Sequence, residues 1–177
     1  MGGVAGMRGR QTVRGMFQSL AVIMIAAGVM YLFIPHDETA APVKAKDYRV
    51  ELLTAQRAAP YPVLAPEGLG EDWKATVVSY KRDQGNAWQL GFLDPDTQYV
   101  SLHQSTAAPK EFVPEVTQQA ENSGRTQTVA GQVWQRWEGP KYDALVRTDG
   151  KATTVVTGTA SFDRLAEMAA ALQSKKA

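Results

Sequence analysis

One of only two histidines in the 177-residue sequence, His103, lies two residues after Ser101 on a predicted strand. Side chains at positions i and i+2 of a strand point to the same face, so this serine and histidine have the residue types of a nucleophile and its base. A serine hydrolase also needs a strained turn and an oxyanion hole, and the sequence contains no G-x-S-x-G elbow. We therefore expect both side chains to be solvated on the polar face of the strand and predict no catalytic residue.

Paired carboxylates are the next candidates for chemistry. Asp94 and Asp96 flank Pro95, and Glu71 precedes Asp72. Two close carboxylates can bind a cation weakly, but D-P-D is foremost a turn sequence in which the aspartates accept hydrogen bonds from local backbone N–H groups. The absence of cysteine also excludes thiol nucleophiles and zinc–thiolate sites. The sequence therefore predicts no metal and no cofactor.

Tryptophan is unusually dense between Trp73 and Trp137, where all four tryptophans occur. Trp134 and Trp137 differ by three positions, so on a strand they point to opposite faces and one of them is expected in the core. An exposed tryptophan beside an arginine can stack on a sugar or contact a protein. The candidate binding residues are therefore Trp134, Arg136, Trp137 and Tyr142, with packing in the core as the alternative interpretation.

An apolar segment near the N-terminus, residues 16–34, reads MFQSLAVIMIAAGVMYLFI and contains no charged side chain. At ~1.5 Å per residue a helix over these residues is about 28 Å long, close to the ~30 Å hydrocarbon core of a bilayer. Three arginines and no acid precede the segment, and two acids follow it closely. The positive-inside rule then predicts a single-pass protein of the cell membrane, with its N-terminus in the cytoplasm.

This interpretation divides the chain into four parts. We predict a basic cytoplasmic tail over 1–15, a transmembrane helix over 16–34, a linker over 35–46 and an extracytoplasmic domain over 47–177. A cleaved signal peptide is the alternative. It is disfavoured because the small residues that follow the apolar segment are themselves followed by Pro42, a poor residue after a scissile bond.

The hydrophobic pattern of the domain predicts an α+β fold. The expected form is one curved antiparallel sheet of about six to seven strands with helices packed on one face and the C-terminal helix last. Residues 60–70 contain three prolines and two glycines and are expected to lack regular structure. The predicted helices cover 47–59, 109–122 (its start near Pro109 or Pro114) and 161–173, and the predicted strands cover 73–80, 86–93, 98–104, 124–129, 133–138, 142–147 and 151–158.

Motifs along nearly the whole chain resemble the DUF4245 family of actinobacterial single-span membrane proteins of unknown function. The matching segments are RGRQTVRGMFQSLAV, APYPVLAPEGL, WQLGFLDPDTQYVSLHQS, VAGQVWQRWEGPKYDALVR and TTVVTGTASFDRLAEMAAAL. The resemblance implies the membrane topology and an actinobacterial origin. It implies no activity, because these motifs contain no known catalytic pattern.

Charge and composition favour a binding function. The net charge is +1, which argues against a nucleic-acid partner. We predict a non-enzymatic envelope protein that contacts the lipid bilayer through one helix and whose outer domain binds another envelope protein, with a glycan or a lipid as the less favoured ligand. The alternatives are an extracytoplasmic hydrolase of envelope polymers, and a signalling or regulatory membrane protein.

Overall fold

A computed structural model describes residues 8–33 and 46–174. The chain forms two compact units, residues 1–42 and 43–177. Helix α1 (Arg8–Phe33) lies in the first unit. No helix among the described residues has both the length and the apolar character needed to cross a membrane. Residues 1–7 of the predicted tail, residue 34 of the predicted span and residues 35–45 of the predicted linker lie outside the described residues.

Within residues 46–174, the second unit contains three helices and nine strands. The helices are α2 (Arg49–Ala58), α3 (Pro109–Thr117) and α4 (Phe162–Ala171). The strands are β1 (Leu64–Pro66), β2 (Lys74–Lys81), β3 (Ala87–Leu93), β4 (Tyr99–Ser105), β5 (Glu121–Val129), β6 (Gln132–Glu138), β7 (Asp143–Asp149), β8 (Ala152–Gly158) and β9 (Leu172–Ser174).

Seven of these strands form one antiparallel sheet in the order β2-β3-β4-β8-β7-β6-β5. Each of the seven predicted strands is present, so the α+β prediction and its strand number are confirmed. The sheet is built from two meanders, β2 to β4 and β5 to β8, which are joined where β4 pairs with β8. Within each meander, the alternation of apolar and polar residues marks the strands. Tight turns connect them, so strands that follow each other in sequence pair antiparallel.

Helices cover both faces of the sheet, which corrects the prediction that they share one face. The larger core lies between the sheet and helices α2 and α4, and it includes Trp88, Leu102 and Met168. A second core lies on the opposite face, where Phe112 and Val113 of α3 pack on β7 and β8. The physical reason lies in β8, which is buried at every position and therefore needs cover on both faces.

The middle helix is shorter than predicted and starts at the earlier proline. Pro109 lies in the first turn of α3, where a backbone N–H has no partner within the helix. The helix ends at Thr117, because Gln118 and Gln119 both take left-handed backbone angles. The Thr117 hydroxyl accepts a hydrogen bond from the Ala120 backbone N–H, and β5 starts directly afterwards.

A small two-stranded sheet was missed by the sequence prediction. Residues 60–70 contain β1, which pairs with β9 directly after α4, so the C-terminal helix is not the last described element. Both backbone groups of Leu64 are held by buried side chains. Its N–H donates to Gln104 Oε1 at 2.8 Å, and its carbonyl accepts from Trp88 Nε1 at 2.9 Å. These partners are distant in sequence, so no local pattern indicates them.

Two local predictions are confirmed. The Ser161 hydroxyl accepts a hydrogen bond from the backbone N–H of Arg164 and caps α4. Asp94 Oδ1 accepts hydrogen bonds from the backbone N–H groups of Asp96 and Gln98, at 2.9 and 2.7 Å. The D-P-D sequence therefore forms a turn, as predicted.

Candidate functional site

The four predicted binding residues do not form one surface. Trp134 is only 2% exposed and belongs to the larger core, whereas Trp137 packs on the second core across the sheet. The prediction that the two indoles point to opposite faces is confirmed. Because Trp134 is buried, it cannot serve as an exposed contact residue.

Arg136 and Tyr142 are each held by a neighbouring aromatic ring. The Arg136 guanidinium lies 3.6 Å from the ring centroid of Phe162, at the start of α4. The Tyr142 ring lies 6.1 Å from the ring of Tyr99, and Lys141 Nζ lies 5.2 Å from its centroid. A binding role for the partly exposed members, Arg136, Trp137 and Tyr142, stays a prediction.

The prediction that Ser101 and His103 are both solvated is wrong. Ser101 is fully buried, and its hydroxyl has no hydrogen-bond partner among the described residues. His103 is partly buried, and both side chains lie on the face of the sheet that carries α3, because Leu102 between them packs in the opposite core. His103 lies beside Phe112 and Val116 of α3, and Ser101 lies between Gly91 and Thr157 of the two neighbouring strands.

A groove runs between α3 and the half of the sheet formed by β2, β3 and β4. We call it the α3 groove, and its volume is about 410 Å³, within the ~300–1,000 Å³ range of ligand pockets. Its helical wall is mostly apolar, with Phe112 and Val116, while Lys81 and Glu115 supply one charge of each sign. The groove is lined by Ser79, Lys81, Gln84, Ala87, Trp88, Gln89, His103, Ser105, Ala107, Phe112, Glu115 and Val116.

Three polar side chains form a row across the floor of the α3 groove. Ser79 on β2 pairs in register with Gln89 on β3, and Gln89 pairs with His103 on β4. All three are partly buried, and within the described part of the chain their side chains make no hydrogen bond. The row therefore offers hydrogen-bonding groups that the protein itself leaves free.

Burial lowers the pKa of His103 to about 4, so the imidazole is neutral near pH 7. The unfolded chain protonates this histidine near pH ~6.5, and it therefore binds more protons than the folded chain between pH 6.5 and pH 4. We expect the free energy of unfolding to fall through this window by about 2–4 kcal/mol on account of His103. Denaturant titrations at several pH values measure this loss.

The matched control for this prediction is His103→Gln, because carboxylates also titrate in the lower part of the window. The wild type should lose more stability than the variant as the pH falls from 6.5 to 4. Identical pH dependence in the two proteins would show that His103 is not buried in its neutral form.

A second cavity lies on the opposite face of the sheet, beside the turn between β7 and β8. We call it the Arg147 cavity, and its volume is about 380 Å³. Its floor is a row of Gln104, Thr154 and Arg147 on three adjacent strands. It is lined by Pro60, Tyr61, Pro62, Leu64, Gln104, Arg147, Asp149, Gly150, Lys151, Ala152, Thr154 and Ser174.

Gln104 is the organising residue of that floor. Its Nε2 donates to Thr154 Oγ1 at 3.2 Å and to the Pro62 carbonyl at 3.3 Å. The Tyr61 hydroxyl lies against two backbone carbonyls, those of Asn86 and, at 3.2 Å, Gln104, and burial raises the pKa of this phenol. These contacts tie residues 60–64 to the sheet and fix one wall of the cavity.

Comparison with protein-family models gives a match over nearly the whole chain. The family model of DUF4245, a protein family of unknown function, matches residues 8–172. The chain belongs to the DUF4245 family. No curated protein and no solved structure matches the sequence.

The DUF4245 chain contains no group of three or more histidine, aspartate or glutamate side chains placed to hold a metal ion, within residues 8–33 and 46–174. The clustered acids serve local structure instead. Arg164 lies 3.8 Å from Asp94 and 2.8 Å from Asp96, and it also pairs with Glu167 at 2.9 Å.

Sequence reasoning missed the α3 groove and the Arg147 cavity of this DUF4245 domain. The sequence does contain an indication of the Arg147 cavity. Arg147 lies two residues after the buried Leu145, so its charged side chain is on the core-facing side of β7. The row of Ser79, Gln89 and His103 had no such signal. It depends on the register between three strands, which no residue of the row specifies by itself.

Proposed function

We propose that this protein is a membrane-anchored extracytoplasmic binding protein of the cell envelope, and that its ectodomain binds a partner protein through the α3 groove without catalysing a reaction. The observation that carries the binding role is the row of Ser79, Gln89 and His103, which presents unpaired polar side chains inside a groove. A partner whose polar groups meet these partly buried side chains gains hydrogen bonds, each worth about 0.5–1.5 kcal/mol net.

The anchor is supported by the residues of the apolar segment. Segment 16–34 carries no charge and follows three arginines, and every side chain described in α1 from Gly15 to Tyr31 is exposed. A helix that exposes large apolar side chains to water is unfavourable, and burial in a bilayer removes that cost. The exposed apolar side chains include Met16, Phe17, Leu20, Val22, Ile23, Met24, Ile25, Val29 and Met30.

Binding is favoured over hydrolysis by the geometry of the polar residues. Ser101 is fully buried, so a polymer cannot reach its hydroxyl. Ser79 faces the same groove as His103, but β3 lies between their strands. Two strand spacings amount to about 9–10 Å, which exceeds the hydrogen-bond reach of a nucleophile and its base.

A site-specific crosslinking experiment tests this proposal. A photo-crosslinking amino acid is placed at position 79 in the α3 groove of the full chain, which carries a C-terminal tag, and intact cells are irradiated. We expect the tagged chain to stay in the carbonate-washed membrane fraction and to form a discrete adduct with an envelope protein. Mass spectrometry of the adduct identifies the partner.

The matched control places the same amino acid at Thr126, an exposed position on β5 at the other edge of the sheet. An adduct from position 79 alone supports the groove as the binding surface. The proposal fails if position 79 gives no adduct, or if both positions give the same one. Release of the chain by carbonate would overturn the anchor.

A further inference from the structure

We propose that the Arg147 cavity binds an anion, a carboxylate or a phosphate group, carried by a molecule with a small apolar body. This cavity lies on the sheet face opposite the α3 groove, so the inference goes beyond the proposed function and does not depend on it.

The Arg147 guanidinium is a largely buried cation with little compensation. Its side chain is 20% exposed, and its Nε is buried without a hydrogen-bond partner among the described residues. The guanidinium lies 5.2 Å from the ring centroid of Trp134, which supplies a weak cation–π contact. Removing a charge from water is costly unless it is paired and hydrogen-bonded, and an arginine has five N–H donors to satisfy.

The nearest counter-ion is poorly placed to compensate this charge. Asp149 Oδ2 lies 3.7 Å from Arg147 Nη2, beyond hydrogen-bond distance, and the aspartate side chain is 77% exposed. An ion pair at this separation whose carboxylate is exposed contributes little. The guanidinium therefore keeps its capacity to form the bidentate contact that arginine makes with carboxylates and phosphates.

The surroundings of Arg147 define the rest of the ligand. Gln104 and Thr154, its neighbours on the cavity floor, already hydrogen-bond to each other. Pro60, Leu64 and Ala152 supply apolar surface, and Lys151 adds a second positive charge at the β7–β8 turn. A compact anion with an apolar substituent matches this combination of a guanidinium group available for hydrogen bonding and an apolar wall.

Calorimetric titration of the full chain in detergent micelles tests the proposal with three probes. Phenyl phosphate combines both features, inorganic phosphate has only the charge, and phenol has only the apolar ring. We expect saturable binding of phenyl phosphate with a Kd in the millimolar range or below, weaker binding of phosphate, and no binding of phenol. Equal binding of phosphate and phenyl phosphate would restrict the site to the anion and overturn the apolar part of the ligand.

Variants distinguish this site from non-specific charge effects. Arg147→Gln should weaken phenyl phosphate binding by about tenfold or more, whereas Arg125→Gln, at an exposed position on β5 outside the cavity, should leave it unchanged. Asp149→Asn should strengthen binding, because it removes the competing carboxylate. A merely structural role of Arg147 does not predict that gain.

The outcomes that overturn the inference are equally specific. They are the absence of saturable binding by the wild type, equal losses in Arg147→Gln and Arg125→Gln, or weaker binding in Asp149→Asn. If Arg147→Gln does not fold, Arg147→Lys serves instead and should bind more weakly than the wild type, because a lysine cannot form the bidentate contact. Unchanged binding in that variant would also contradict the proposal.

Discussion

Replacing Gly158 with alanine is expected to lower the free energy of unfolding of the second unit by at least about 3 kcal/mol. A methyl group at this position would lie 1.9 Å from the carbonyl oxygen of Tyr99 and 3.0 Å from Val100 Cα. Both atoms belong to the backbone of β4, which pairs with β8 at the centre of the sheet. The clash therefore cannot be relieved by a side-chain rotation, and the two meanders must move apart.

Gly91→Ala is the matched control, because Gly91 is also a buried strand glycine without a left-handed backbone angle. A methyl group there meets the hydroxyl end of Tyr99 at 2.8 Å, and this ring can rotate away. We expect a loss of less than about 1.5 kcal/mol. Urea unfolding followed by tryptophan fluorescence measures both variants, and equal stability of the two would contradict the close approach of β4 to β8.

Replacing Trp88 with alanine should cost about 3–5 kcal/mol, the usual range for removing a large buried aromatic side chain. Trp88 is fully buried in the larger core. Its Nε1 also donates to the Leu64 carbonyl at 2.9 Å and so holds the small β1–β9 sheet against the main sheet. The substitution removes apolar contacts and leaves this carbonyl without its donor. Calorimetry or urea unfolding of the full chain gives the loss.

Two further variants separate these contributions. Trp88→Phe keeps most of the apolar volume and loses the donor, so we expect a smaller cost of about 1–3 kcal/mol. Val133→Ala is the surface control, because Val133 is exposed on β6, and it should change stability by less than about 0.5 kcal/mol. A Trp88→Ala loss no larger than that of Val133→Ala would show that the indole is not in the core.

The main sheet could be predicted because its strands are encoded locally. Alternation of apolar residues marks β3, and the Asp149-Gly150 turn marks the hairpin of β7 and β8. The placement of the helices could not be predicted in the same way. Whether α3 covers the same face as α4 depends on how the two meanders join, and that pairing connects residues 48 to 58 positions apart.

In the candidate sites, too, local features could be predicted from the sequence and features that depend on distant residues could not. The opposite orientation of Trp134 and Trp137 follows from their spacing, which is a local property. The burial of Ser101 and the groove around His103 follow from what packs over β4, which its own residues do not reveal. Arg147 is an intermediate case. The face of β7 on which its side chain lies follows from its spacing to Leu145, but its long distance to Asp149 is seen only in the structure.

The join between β4 and β8 also affects how the domain is made. During synthesis the first meander emerges complete, but the inner edge of β4 has no partner until β8 has left the ribosome. At ~5–20 residues per second this delay lasts about 3–10 s. Throughout that interval a strand with apolar residues presents free N–H and C=O groups, which is a template for aggregation. A chaperone that binds extended apolar segments would therefore act on residues 99–105, and slower translation between β4 and β8 would lower the yield of folded protein.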